Sequence, residues 1–192
     1  LLMVGEMGVV GSTPRFATCV KGVRLAPPTG EEVPFVAGGY VQLGCPAHSM
    51  DFRTFDIEPE FRDTWDKFDL WRFKSVLAEP IERAYSMANY PLEKGLLLFT
   101  IRIAFPPDYR TDIPPGIMSS YVFNLKPGDE LTVSGPFGEF FARDTDKEMC
   151  FVGGRAGQAP MRSQLFRQLK RPHPKSKKTV WKGAARMRGG CR

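Results

Sequence analysis

Apolar residues fall in short runs separated by glycine, proline and acidic turns, a spacing that predicts strands more often than helices. Residues 16–20 and 22–25 predict two strands ahead of Pro27-Pro28 and a turn at 29–32. Residues 35–43 predict a third, whose paired Gly38 and Gly39 suit a tightly coiled barrel corner. A strand at 83–86 and another at 95–104 follow, and residues 130–141 read as the closing strand with its exit turn. Residues 1–14 carry no legible period.

Two stretches depart from this strand rhythm. Residues 47–79 are rich in Asp, Phe, Trp and Arg and read as an excursion from the barrel, with a short helix at 60–68. Phe55, Phe61, Trp65, Phe68 and Trp71 are its expected anchors. At 113–116, prolines end one segment and a glycine opens a helix over 116–125, which Lys126-Pro127-Gly128-Asp129 terminates. Near Glu148 the period changes again. A short buried strand at 149–152, a glycine-rich turn at 153–157 and a helix at 164–170, led in by 158–163, predict the opening of a parallel α/β unit. A parallel sheet needs more than one strand and one helix, so strand 149–152 is expected to lack partners.

Composition narrows the chemistry. The 192 residues are 42% hydrophobic, enough for one complete domain and part of a second. No apolar run reaches the length of a membrane span, and 1–11 lacks the basic leader of a signal peptide. Cys19, Cys45, Cys150 and Cys191 are scattered without a C-x-x-C pair, so metal, cluster and disulfide readings have no support and reduced thiols are expected. The net charge of +6 hides an asymmetry: all 21 acids lie in 1–150, whereas 151–192 holds 12 Lys and Arg. Such a basic stretch can bind an anionic surface, but no nucleic-acid motif accompanies it and no nucleic-acid partner is expected.

The candidate chemistry centres on Arg83-Ala84-Tyr85-Ser86. In a strand Arg83 and Tyr85 share a face, and Ser86 turns at the end. Guanidinium, aromatic plate and hydroxyl suit the phosphate, ring face and redox-active edge of a flavin dinucleotide. Arg102, in the middle of an apolar strand, is expected to face an acid or a phosphate-bearing ligand. The helix opening at Gly116-Ile117-Met118-Ser119 offers free backbone N–H groups to an anion. His48 has no acid partner at a useful spacing and reads as a surface or satisfied histidine.

In order and spacing, Arg83-Ala84-Tyr85-Ser86, Pro115-Gly116-Ile117-Met118-Ser119-Ser120, Ser134-Gly135-Pro136-Phe137-Gly138-Glu139-Phe140 and Gly153-Gly154-Arg155-Ala156-Gly157-Gln158-Ala159-Pro160-Met161-Arg162-Ser163 resemble the ferredoxin-NADP reductase superfamily. With its excursion, Asp66-Lys67-Phe68-Asp69-Leu70 included, the chain resembles more closely the F-subunit family of bacterial sodium-translocating NADH:quinone reductases. The resemblance implies an antiparallel FAD-binding β-barrel followed by the truncated start of a Rossmann-like NADH-binding domain. Its boundaries would be an unassigned end at 1–14, the barrel domain at 15–145, and the truncated unit with its basic tail at 146–192. Arg83 would contact the FAD phosphates, Tyr85 would stack on the flavin and Ser86 would bond near N5, these last two being the catalytic candidates. Gly116, Ile117, Met118 and Ser119 would hold the pyrophosphate, and Gly153, Gly154 and Gly157 would line the NADH site.

In the family, electrons pass from NADH through FAD to a [2Fe-2S] centre and on to quinone, at the cytoplasmic face of the bacterial inner membrane and beside other subunits. This chain carries neither the cluster domain nor the membrane helix of that family, has Arg155 where the nucleotide turn has its third glycine, and is read as a fragment, soluble by itself, with divergent or frame-altered ends. Two other readings are a reductase component of an oxygenase system and a non-enzymatic basic anion-binding module.

Overall fold

A computed structural model of the chain describes residues 3–27, 32–107, 112–154, 157–170 and 179–184. Seven strands form one curled antiparallel sheet: β1 (Met3–Ser12), β2 (Arg15–Ala17), β3 (Val20–Ala26), β4 (Tyr40–Cys45), β7 (Ile81–Ser86), β8 (Leu97–Arg102) and β9 (Glu130–Phe137). The order is β2-β3-β1-β9-β4-β7, with β8 on the other flank of β3, so β7 and β8 are edge strands. The edges are drawn together beyond Ser86, where the Ala88 N–H donates to Leu98 O at 2.6 Å. Buried Asn89 completes the closure, donating to Leu96 O at 2.8 Å and accepting from the Leu98 N–H at 2.9 Å.

The gap left along the two edges is filled by α2 (Ile117–Asn124), which packs on β7, β8 and the hairpin strand β6 (Lys74–Leu77). Alternation on the strands explains the core. Val41 and Leu43, Leu97, Phe99 and Ile101, and Leu131 and Val133 point inward and are fully buried, and Met118 and Val122 of α2 close over them. The excursion is the hairpin β5 (His48–Asp51) with β6, two 3-10 turns and α1 (Pro59–Lys67). Its own aromatic core is Phe52, Phe55, Ile57, Trp65 and Leu70, joined to the barrel through Ile103 and Phe123. Trp65 stacks on Phe123 of α2 with ring centroids 6.2 Å apart.

The second unit is β10 (Met149–Gly154), α3 (Gln158–Leu169) and β11 (Thr179–Ala184), with the two strands parallel and paired from Met149↔Thr179 to Gly154↔Ala184. The fold is therefore the expected barrel followed by the start of an α/β unit.

Several sequence expectations need correction. The period-less 1–14 contains β1, which lies in the interior of the sheet between β3 and β9. Its alternation is broken by a register shift between Met3 and Glu6, where Gly5 adopts φ +65°. Strand β10 has a partner in β11. Helix α3 starts six residues earlier than expected, because Pro160 occupies its third position, where the missing N–H costs no intrahelical bond. Cys19 is buried and disulfide-bonded, against the expected reduced thiol, while Cys45 and Cys150 are free. Among the described residues there is no helix long and apolar enough to cross a membrane, and no cluster of metal-ligating side chains.

Candidate functional site

Edge strand β7 presents the central motif. Paired with β4 through Leu43↔Arg83, Val41↔Tyr85 and Tyr40↔Ser86, it leaves its other edge facing α2. Arg83 is exposed and, among the described residues, its guanidinium donates only to the Glu82 carbonyl, at 2.7 Å, which leaves most of its donors open to a ligand. Tyr85 is half-buried. Burial pushes its hydroxyl up to about 12, the neighbouring Cys45 adding to this and Arg83 opposing it, so the ring is a neutral aromatic plate at physiological pH. Ser86 is half-buried at the strand end, and among the described residues no hydrogen bond uses its hydroxyl.

The second half of the site is the start of α2. Gly116 is its N-cap and brings no side chain to the helix end. The N–H groups of Ile117, Met118 and Ser119 thus have no intrahelical acceptor, while the Ser120 N–H bonds Gly116 O at 2.9 Å. Gly116 is tied to the end of β8, donating from N–H to Ala104 O at 2.9 Å. A Cβ at Gly116 would meet Ser119 Oγ at 2.7 Å and Ala104 Cβ at 2.9 Å, so only glycine fits this crossing. The Ser119 hydroxyl is already engaged, donating to Gly116 O at 2.9 Å and accepting from the Ala104 N–H at 3.1 Å. Ser119 therefore braces the cradle with its hydroxyl and leaves backbone N–H groups to meet an anion. These groups suit a flavin dinucleotide: a largely unengaged guanidinium and a neutral ring lie on β7, and α2, whose N-terminus is uncapped, packs on the same strand.

Arg102 is the last residue of β8. On β8 it lies with Leu98 and Thr100 on the half-exposed face, opposite the buried Leu97, Phe99 and Ile101, so no charge enters the core. Gly153 and Gly154 are the last residues of β10 and Gly157 is the N-cap of α3, which puts them at the carboxyl edge of a parallel pair beside a helix N-terminus, where α/β units take up ligands. Arg155 lies outside the described residues.

His48 is satisfied on both sides. Its Nδ1 is 3.0 Å from Pro46 O and must donate there, which leaves Nε2, 2.9 Å from Ser75 Oγ, as an acceptor. With Nδ1 protonated, the ring is no base for the Cys45 thiol 3.5 Å away, and burial raises that thiol to about 11. The trio has a hydrolase-like composition without its chemistry.

Sequence reasoning missed the residues that seat α3 against the barrel: Asn89, Glu93, Arg162, Ser163 and Gln164. Their only signal was indirect, since polar residues at 162–164 in a helix next to a glycine turn have no reason to be inward-facing unless another domain lies there.

Comparison with known proteins bears first on the barrel and its fold. Residues 70–141 match the family described as "Oxidoreductase FAD-binding domain", a span that includes β7, β8, α2 and β9. Solved structures share the fold: the cytochrome b5 reductase domain of Ulva prolifera nitrate reductase has a TM-score of 0.64 at 13% identity, over 94% of this chain and 62% of that one. The flavohem-like FAD/NAD binding domain of nitric oxide dioxygenase from Vibrio cholerae has a TM-score of 0.63 at 17% identity, over 96% of this chain and 65% of its own.

The particular relationship comes from sequence. The chain is 60% identical over 179 residues to the F subunit of the Na(+)-translocating NADH-quinone reductase of Marinomonas sp. (strain MWYL1), covering 93% of this chain. It is 57% identical over 172 residues to the protein of the same name in Mannheimia succiniciproducens, covering 90% of this chain. The similarity runs over nearly all of this chain, which spans 44% and 42% of the length of these two relatives.

Proposed function

We propose that the protein is the flavin-carrying part of an NADH-oxidising subunit of a sodium-translocating NADH:quinone reductase. The observation that supports this reading is the placement of Arg83, Tyr85 and Ser86 on edge strand β7, on which α2, with its uncapped N-terminus, also packs. Bound there, FAD supplies an acceptor that takes two electrons from NADH and releases them singly, which a one-electron [2Fe-2S] centre elsewhere in the complex requires.

The chain's own residues have separable tasks. Arg83 pairs with the pyrophosphate, and the N–H groups of Ile117, Met118 and Ser119 add donors and the positive end of the α2 dipole. Tyr85 covers one face of the ring and keeps water from it. Ser86, whose hydroxyl is uncommitted, donates at the ring edge where a hydride arrives. Arg102 is proposed as a further cofactor contact on the outward face of β8. Gly153, Gly154 and Gly157 offer the second nucleotide a surface of backbone without side chains. The remaining subunits, the sodium path and the cytoplasmic face of the inner membrane as its location belong to this same reading.

The test is the visible spectrum of the purified protein, before and after adding FAD and then NADH under argon. A protein-bound flavin spectrum that Arg83→Ala weakens by roughly 10- to 100-fold in FAD affinity is expected, the loss of charge-assisted hydrogen bonds worth about 1.5–3 kcal/mol. Equal FAD affinity in the two proteins, or none in either, overturns it.

A further inference from the structure

Helix α3 does two things within six residues. Its N-cap, Gly157, lies at the turn offered to the second nucleotide, and its next turn is bolted to the barrel. Arg162 makes a two-pronged ion pair with Glu93, NH1 to Oε2 and NH2 to Oε1, each 2.8 Å, and NH1 also donates to Ala88 O at 2.7 Å. Ser163, fully buried, donates from Oγ to Asn89 O at 2.6 Å, and Gln164 donates from Nε2 to Phe140 O at 2.6 Å. Phe166 stacks on Tyr90 with centroids 5.9 Å apart, and the Arg162 guanidinium lies 4.6 Å from the Phe166 ring.

The barrel side of this contact is no ordinary loop. Ala88, Asn89, Tyr90 and Glu93 closely follow Ser86, and the segment is fixed from within. Met87 N–H bonds Gly39 O at 3.0 Å, Asn89 is stapled to Leu96 and Leu98, and Glu93 accepts the Tyr90 N–H at 3.0 Å. Glu93 therefore receives three donors, two of them from α3, and its carboxyl is held below the usual range chiefly by the Arg162 hydrogen bonds. Shape and charge agree: a planar fork meets a carboxylate already oriented by its own backbone.

We propose that the Arg162–Glu93 pair is a positioning latch that sets the distance between the nucleotide turn at Gly157 and the Ser86 end of β7, and so sets the rate at which a hydride crosses, without touching either ligand. This rests on the function proposed above. The transfer it governs moves one hydride from the nicotinamide ring of NADH to the oxidised flavin, leaving NAD+ and a reduced flavin, and the latch itself gains and loses nothing. A ligand pair held together reacts only within a narrow range of separations, so an error near 1 Å costs roughly 100-fold.

The experiment compares wild type with Glu93→Gln and with Arg162→Lys, which keeps the charge but loses the fork. Two readouts are taken on the intact protein. The first is amide hydrogen exchange of the ligand-free protein, and the second is stopped-flow bleaching of the flavin by NADH. The expected result is faster exchange in both 87–98 and 158–169, unchanged FAD affinity, and a limiting bleaching rate lower by roughly 10- to 100-fold, with little change in the NADH concentration for half-saturation. Unchanged exchange in both segments overturns the latch, whatever the flavin does. Looser exchange with an unchanged limiting rate overturns its influence on transfer. Failure of wild type to bind FAD instead overturns the function proposed above, and the exchange result still decides the latch.

Discussion

The seven-stranded sheet and the β10–β11 sheet bury their apolar faces very differently. In the seven-stranded sheet the inward residues of β4, β8 and β9 are all buried, and α2 fills the one gap between its edges. In the β10–β11 pair, Phe151 is buried but Val152 and, on the adjoining helix, Leu169 are 67% and 61% exposed. The barrel is held by strand pairing and a shared core, so its stability is its own. The α/β unit is held to it by a patch of polar contacts from Arg162, Ser163 and Gln164. The proposed flavin site would therefore sit on a scaffold that defines its geometry internally, while the proposed nucleotide turn inherits its geometry from where α3 is docked.

The largest effect is expected on the barrel side. Trp65 is fully buried, stacks on Phe123 of α2 and donates from its indole nitrogen to Thr18 O at 3.3 Å. Trp65→Ala is expected to cost about 3–5 kcal/mol. Because Phe123 belongs to both the excursion's core and the helix that plugs the barrel, the loss is expected as a shift of one denaturant transition. Two separated transitions would show that the excursion melts by itself.

A second effect of similar size follows from Lys21. This lysine is 5% exposed, and its ammonium donates to Phe123 O at 2.8 Å and Leu125 O at 2.5 Å, capping the carbonyl end of α2. Burial lowers its pKa from 10.5 to about 8, with the Arg15 charge acting in the same direction and Glu58, Asp129 and Asp56 against it. Between those two values the unfolded chain carries a proton that the folded chain has released. Wild type should accordingly gain stability relative to Lys21→Met as pH rises through that window, by on the order of 3 kcal/mol. Urea titrations at pH 7, 8.5 and 10 measure it, and a difference that does not change with pH would mean that the buried amine keeps its charge.

The glycine turns of the two regions differ in a way that ligand binding can read. Gly116→Ala forces a methyl against Ser119 Oγ and Ala104 Cβ, and about 1–3 kcal/mol of local strain is expected. Because that strain falls on the cradle itself, FAD affinity should drop by roughly tenfold or more. Gly157 has φ −64° and nothing within 4 Å of an added Cβ. Gly157→Ala is expected to cost no more than about 1 kcal/mol and to leave FAD affinity unchanged. Flavin titrations of both variants decide this, and equal losses would mean that the two turns act as one site.

What could be read from the sequence divides along the same line. The Arg83-Ala84-Tyr85-Ser86 strand and the helix opening at Gly116 were legible because each is a local pattern whose meaning depends on a handful of adjacent residues. Central strand β1 was not, since its buried positions Met3, Gly8 and Val10 follow neither a period of two nor of 3.6 once the shift at Gly5 intervenes. Strand β11 lay hidden in a lysine-rich stretch, where charge outweighed the β-forming Thr179, Val180 and Trp181. The docking residues of α3 were illegible because their partners lie 24 to 74 positions away, and no local pattern reports a contact of that range.

The smallest predicted effect isolates the difference between the two sheets by making one substitution in each. Val133 on β9 is 1% exposed, packed in the barrel core, whereas Val152 on β10 is 67% exposed. Valine and threonine are nearly the same size and both favour strands, so Val→Thr exchanges a methyl for a hydroxyl and little else. At Val133 the hydroxyl enters an apolar core, with a cost of about 1–3 kcal/mol. At Val152 water supplies the hydrogen bond, and a change within about 0.5 kcal/mol is expected. Thermal unfolding of the two variants under one condition reads the gap directly. A loss at Val152 as large as that at Val133 would mean that this strand face is covered in the protein as it works, and that the α/β unit has a core of its own rather than a position borrowed from the barrel.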